Sequence, residues 1–216
     1  MDPSVDLYPE LVAECGAVAL RVAPVADLLV LAGYVADGLF PDGPSTLGEW
    51  YDPDDLVASA RRTVAYHLSA LAERSPDRLD LPLGVYVDGV VIGVQSLHAE
   101  HITVTREVAT GSWLAPGHRG RGHGRAAREA ALAVAFEALG ADWATTASLV
   151  DNGASLGVTA ATGYRPDGVR VEVVRGRREV LRRFRQSRDE WAARDRPTVR
   201  VAGFGRWLAD TGLGPA

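Results

Sequence analysis

From Trp113 to Arg125 the chain reads WLAPGHRGRGHGR, and no other stretch constrains the fold as tightly. An alternating apolar run breaks at Pro116-Gly117, a glycine-dense loop follows, and an alanine-rich helix is expected over Arg125 to Leu139 with Gly140 as its stop. Strand, loop and helix in that order set the unpaired amides of a helix N-terminus beside glycines at 120, 122 and 124. Such a corner attracts anions, because the backbone approaches closely and the helix dipole adds partial positive charge. Arg119, Arg121 and Arg125 add charge of the right sign with bidentate reach for phosphate oxygens. No Lys-Ser or Lys-Thr follows as a Walker loop needs, and the spacing is not the GxGxxG of a dinucleotide fold. By physics alone the segment is a pyrophosphate cradle or a helix entry on a solvated surface.

The flanking patterns supply the rest of the fold. Gly16 to Val22 reads as a strand and Val25 to Ala36 as a helix, followed by a glycine-, proline- and aromatic-rich loop over Gly38 to Pro53 that lines a pocket or packs on the surface. Asp54 and Asp55 open a second helix running to about Glu73, with His67 one turn after Thr63. Pro82 to Val87 and Val90 to Leu97 flank Asp88-Gly89 as a hairpin, and Val104 to Leu114 alternates as a third strand. Trp143 to Leu149 is a strand, Asn152 to Ala161 a helix, and Val169 to Val174 and Arg178 to Phe184 are the last strands. Antiparallel strands followed by a strand-helix-strand crossover indicate an α/β (α+β) mixed sheet with helices on both faces. One domain is expected for 1–216, with a core over about 17–191 and an extension over 192–216 whose role the residues do not reveal.

A net charge of −5 argues against a surface built for phosphate backbones or anionic lipid, so neither nucleic acid nor membrane is an expected partner. Seven arginines between Arg175 and Arg188 alternate with Val180, Leu181 and Phe184, as a solvated strand does; a nucleic-acid patch or a rim for an acidic acceptor is the competing reading. The single cysteine, Cys15, cannot form an internal disulfide, which suits a cytoplasmic location. No metal-ligand pattern stands out.

Arg119-Gly120-Arg121-Gly122-His123-Gly124 matches the (Q/R)-x-x-G-x-(G/A) signature of the GNAT acyltransferases, and the chain resembles their Rim-type branch, the ribosomal-protein-alanine N-acetyltransferase-like group. The GSWL strand at Gly111 to Leu114, Asp151-Asn152-Gly153-Ala154-Ser155 and Gly163-Tyr164 carry the likeness. The resemblance implies a mixed, mostly antiparallel sheet of about seven strands in which the fourth and fifth, here Val104 to Leu114 and Trp143 to Leu149, splay apart around the pantetheine arm of CoA. It implies acetyl-CoA as cofactor, a primary amine as acceptor, and transfer by direct attack in a ternary complex. Backbone groups at Trp113 and Leu114 would pair with pantetheine, the amides of Arg119 to Gly124 and the start of the helix at Arg125 would hold the pyrophosphate, and Asn152 would bond pantetheine or cap its own helix. A homodimer is common among such relatives, and the assembly stays open.

Acyl transfer to an amine needs the ammonium deprotonated, the developing oxyanion stabilised and a proton supplied to the thiolate. By resemblance Ser155 is the candidate acid, with Tyr164 next; the competing readings are a first-turn serine satisfying its helix and a packing aromatic. Glu107 is the candidate base by family position, or else an exposed strand glutamate paired with an arginine, and His98 has a suitable intrinsic pKa. Positioning alone, without a dedicated base, is also compatible with the chemistry. A larger acyl donor such as succinyl-CoA would need a cation near the acyl end, from His67 or a loop arginine. The reading from another class is a non-catalytic acyl-CoA-binding protein.

Overall fold

The computed structural model describes residues 8, 10–39, 50–72, 75, 77–174 and 176–213. In chain order the elements are β1 (Val12–Cys15), β2 (Val18–Arg21), α1 (Val25–Ala36), α2 (Leu56–Ala72), β3 (Arg78–Val87), β4 (Val90–Glu100), α3 (Ile102–Thr105), β5 (Glu107–Leu114) and α4 (His123–Ala133). They continue as β6 (Trp143–Leu149), α5 (Gly153–Ala161), β7 (Arg165–Val174), β8 (Arg177–Ser187), α6 (Arg188–Ala193), β9 (Val199–Ala202) and α7 (Phe204–Thr211).

Among the described residues one sheet holds nine strands in the order β7-β8-β6-β5-β4-β3-β2-β1-β9. Neighbours pair antiparallel except β5 and β6, which run parallel because α4 carries the chain across between them. The strand count corrects the expected seven, for two local reasons. The strand expected at Gly16 to Val22 is half of a tight hairpin, since Gly16 takes φ +58 at the turn and Val12–Cys15 pairs back on Val18–Arg21. The four residues of β1 are too few to show a period against Glu14 and Cys15. The ninth strand lies in the extension: β9 adds to the free edge of β1, with Arg200 Nε donating to Glu14 Oε2 at 2.8 Å. After it, α7 buries Phe204, Trp207 and Leu208 in the core, so the tail is a structural part of the sheet's end.

The third expected strand begins later than its β-branched residues suggest. Val104 lies in the single turn α3, where Thr105 Oγ1 donates to Glu100 O and His101 O, and the chain turns at Arg106 with φ 50 before β5 starts. Helix α2 starts at Leu56, not Asp54, because Asp55 Oδ1 accepts from Ala58 N at 2.9 Å and acts as its cap. The helix expected from Arg125 opens earlier, at His123, and its last turn, Val134–Ala138, widens into a π-turn.

Alternation along the strands feeds two cores. Leu79, Leu81, Leu83 and Val85 of β3 share one core with α4 and α7, while the alternate residue Tyr86 joins Leu28, Leu31, Val35 and Ala60 of α1 and α2 on the other face. The sheet is thus covered on both sides, and its ladder breaks between β5 and β6.

Candidate active site

The break has a definite extent. β5 and β6 pair over Glu107↔Trp143, Val108↔Ala144 and Ala109↔Thr145, and no further pairing follows although both strands continue. Where the ladder ends, side chains stitch it: Thr110 Oγ1 donates to Thr145 O at 3.1 Å and Thr146 Oγ1 to Thr110 O at 2.9 Å. Beyond them Gly111 to Leu114 have no strand neighbour on that side among the described residues.

A cavity of about 510 Å3 opens at this gap. Arg62, Thr63, Tyr66 and His67 of α2 line it together with Trp50, and Val94, Ser96 and His98 of β4 form its floor with Gly111, Ser112 and Trp113 of β5. Thr146, Ala147 and Ser148 of β6, Asn152 and Ser155 at the start of α5, and Arg128 of α4 complete it. Trp50 and Trp113 stand with ring centroids 6.4 Å apart. Of the loop expected over Gly38 to Pro53, residues 40–49 lie outside the described residues; Trp50 shows that its end reaches the cavity.

At one end stands the loop into α4. Gly120 and Gly122 have φ +72 and +82, and a Cβ on either would meet nothing within 4 Å, so the loop is bare backbone around open space. Gly122 caps α4 without any side-chain bond, and the first intrahelical bond there runs from Ala126 N to Gly122 O, which leaves the opening amides free to donate outward. Arg121 and Arg125 are exposed. Arg119 is differently used: its Nε donates to Leu114 O at 2.8 Å and its Nη2 to Leu39 O at 2.7 Å, which braces the end of β5. Bare glycine backbone, an uncapped helix start and a gap leading to a cavity fit a pyrophosphate with a long arm attached.

The remaining candidate residues divide between cavity and framework. Asn152 Oδ1 accepts from Ser155 N at 3.0 Å, capping α5, and both side chains line the cavity. His98 lines it too, its Nδ1 2.6 Å from Asp80 Oδ1, a cross-strand neighbour. Burial pushes the Asp80 carboxyl up, but the His98 hydrogen bond and the nearby His98 and Arg78 charges outweigh it and hold the group below its ordinary value. Glu107 stands apart from the cavity, half-exposed at the start of β5 with Oε2 3.9 Å from Arg185 Nη2. Tyr164 is buried behind the gap, its hydroxyl 2.8 Å from Thr110 Oγ1. Since Thr110 gives its proton to Thr145 O, Tyr164 is the donor in that pair. Burial foremost pushes its phenol above the ordinary value. Replacing Tyr164 by Phe is expected to cost about 1 kcal/mol in urea denaturation. It should not bring the fall of about a hundredfold in kcat that loss of a general acid brings.

Two residues of the cavity carry more than the sequence suggested. His67, 3% exposed, has Nδ1 2.8 Å from Thr63 O, so Nδ1 bears the proton and Nε2 keeps its lone pair; Nε2 has no hydrogen-bond partner among the described residues. Burial holds its pKa below the ordinary value. Arg128 drew no notice in the sequence, yet it lies at the gap on Gln95, Ser112 and Thr146. The usable signal was its place in the helix: with Glu129 it interrupts a run, Ala127 to Phe136, in which every residue is buried.

Three arginines of β8 are engaged along the strand: Arg183 bonds Asp167 at 2.9 Å, Arg185 lies 3.7 Å over the Trp143 ring and Arg182 5.4 Å over that of Phe184. Among the described residues no cluster of three metal-ligating side chains occurs, and no helix is long and apolar enough to cross a membrane.

Residues 45–165 match the family model of the acetyltransferase (GNAT) domain. Solved structures share the fold at low identity. RimJ of Mycobacterium smegmatis in complex with CoA-disulfide is 19% identical, with a TM-score of 0.64 over 95% of this chain and 96% of its own. The ribosomal alpha-N-protein acetyltransferase RimL in complex with coenzyme A is 17% identical, with a TM-score of 0.62 over 81% of this chain and 96% of its own. A ribosomal-protein-S5-alanine acetyltransferase from Vibrio fischeri is 19% identical, with a TM-score of 0.60 over 84% and 98%. With its family model spanning more than half of the chain, its splayed parallel pair and its glycine loop at a helix start, this protein belongs to the GNAT acetyltransferase family and is an acyltransferase.

Proposed function

We propose that the protein transfers an acetyl group from acetyl-CoA to a primary amine by direct attack, with both substrates held at once. The observation that carries this reading is the gap between β5 and β6, which opens onto the cavity beside the uncapped start of α4. Acetyl-CoA supplies an acyl carbon activated as a thioester. The amides of Gly120 to Gly124 hold the pyrophosphate, and the exposed Arg121 and Arg125 add charge. The unpaired side of Trp113 and Leu114 offers main-chain groups to pantetheine and polarises the acyl carbonyl. Asn152 fixes the first turn of α5, which sets the Ser155 hydroxyl at the cavity as the proton donor to the departing sulfur.

For the amine proton we assign His67, because its Nε2 lone pair is unpartnered among the described residues and burial keeps the ring neutral near pH 7. The ring of Tyr66, whose phenol burial holds firmly protonated, stacks edge-on 5.5 Å from it. The acceptor is an amine of a small molecule, a peptide N-terminus or a protein lysine. The ribosomal-protein acetyltransferases among the solved relatives support a peptide N-terminus within that set. Incubating the protein with acetyl-CoA and amines of the three kinds, while following free thiol, tests the reading. Thiol release that requires an amine is expected; tight CoA binding with no release for any amine would leave a binding protein instead.

A further inference from the structure

Arg128 is 3% exposed, and the groups it bonds are electrically neutral. Nε donates to Gln95 Oε1 at 3.4 Å, Nη1 to Thr146 Oγ1 at 3.2 Å and Nη2 to Ser112 Oγ at 3.2 Å, and the guanidinium lies 5.9 Å from the Tyr164 ring centroid. These bonds are long for a charged donor, which ordinarily draws oxygens to about 2.7–2.9 Å. These bonds use three of its five N–H groups and the Tyr164 hydroxyl is a further polar neighbour, which still leaves a terminal N–H for a ligand oxygen.

The described residues supply no counter-ion. Glu129, next in sequence, is turned away and taken by both ends of Arg194, at 2.9 and 2.6 Å. Among the described residues no carboxylate pairs with Arg128, and those of them that line the cavity include Arg62, His67, His98 and Arg128 but no aspartate or glutamate. A guanidinium buried against neutral oxygens is costly, and a strut between the splayed strands would be served equally by an uncharged side chain. A ligand anion would offset the cost.

We infer that one of the two substrates carries a carboxylate, on the acyl chain of the CoA thioester or on the carbon chain of the acceptor amine, and that Arg128 binds it. This rests on the acyltransferase reading with CoA in the β5/β6 gap; a carboxylate on the acyl chain would replace acetyl as the group transferred, whereas one on the acceptor leaves acetyl in place. It narrows the substrates to an acidic acyl group or an amino acid-like acceptor.

Calorimetric titration of wild type and Arg128→Gln with CoA, succinyl-CoA and butyryl-CoA compares a four-carbon acyl group with and without its carboxylate. Kinetics with acetyl-CoA and a panel of amino acids against their α-amides does the same for the acceptor. In one of the two arms wild type should prefer the acid by about tenfold or more, and Arg128→Gln should lose that preference while still binding CoA. A preference in the first arm places the carboxylate on the donor; in the second, on the acceptor. Should the Gln variant fail to fold, Arg128→Lys decides, since an ammonium cannot reproduce the planar set of guanidinium donors and the preference should weaken severalfold. No preference in either arm, or one that survives substitution, overturns the inference while CoA binding keeps the acyltransferase reading intact. A wild type that binds no CoA species removes both.

Discussion

Gly122→Val should abolish the rise in Tm that CoA gives the wild-type protein. With CoA about 100-fold above its dissociation constant, linkage adds about 2.7 kcal/mol to the folded state. For a chain of this size that is roughly 5–10 °C. Gly122 holds φ +82 at the cap of α4, a conformation in which a β-branched residue is strained by about 1–3 kcal/mol. Either the variant keeps the loop and places two methyl groups in the space for phosphate, or it relaxes to negative φ and swings the opening amides away. A Cβ there meets nothing within 4 Å, so the unliganded protein should still fold, with some loss of Tm from the strain. Gly124→Ala is the contrast. Its φ is ordinary and its Cβ would stand 3.6 Å from Val158 Cγ2 and 3.7 Å from Leu114 Cδ1, normal contact, so the CoA shift should persist. Differential scanning fluorimetry of the three proteins reads both. A Gly122→Val protein that retains the full shift would show that the loop does not hold the cofactor.

That loop was legible in the sequence because its physics is local. Glycines with positive φ, a proline break and an alanine-rich run lie within a few residues of one another, and no distant contact is needed to place them. The same holds for α1 and β6, which occupy the spans their periodicity indicates, Val25–Ala36 and Trp143–Leu149. Four-residue strands failed the same test: β1 and β9 take their identity from each other and from β2 across the sheet, with Cys15 facing Val199 and Val18. A pattern of period two cannot show itself in so few residues.

The cavity is a long-range object, and its polar members were correspondingly hard to assemble. His67, His98, Ser112, Arg128 and Thr146 come from five elements, and each alone is an ordinary helix or strand residue. Two hints were available: His67 and Thr63 repeat on one helix face, and Arg128, with Glu129, interrupts an otherwise apolar run from Ala127 to Phe136. Both are polar groups on faces that the fold buries, which is where a polar side chain needs a reason. Glu107 shows the converse. Its family position suggests a base, but β5 carries it to the paired end of the gap, beside Arg185, while the cavity opens at the other end.

His67→Gln should lower kcat by about a hundredfold and leave the CoA-induced rise in Tm unchanged, because α2 takes no part in the pyrophosphate loop. The location of the ring proton decides what the residue can do. Thr63 O accepts from Nδ1, so the neutral ring presents Nε2 as a base, and burial resists its protonation despite the bond to Thr63, which favours the charged form. The pKa therefore lies below the ordinary value of about 6.5. In kcat against pH, wild type should show an acid limb falling below about pH 6.5, where the ring takes up a proton and ceases to act. The variant should lack that limb. The sign for stability is the same: the unfolded chain protonates this histidine first, so its contribution is complete above about pH 6.5 and is lost as pH falls through and below that value. A variant with unchanged kcat and an unchanged acid limb would remove His67 as the base. The choice would then fall to His98 on its Asp80 partner, and His98→Gln in the same assay would have to show the loss that His67→Gln did not.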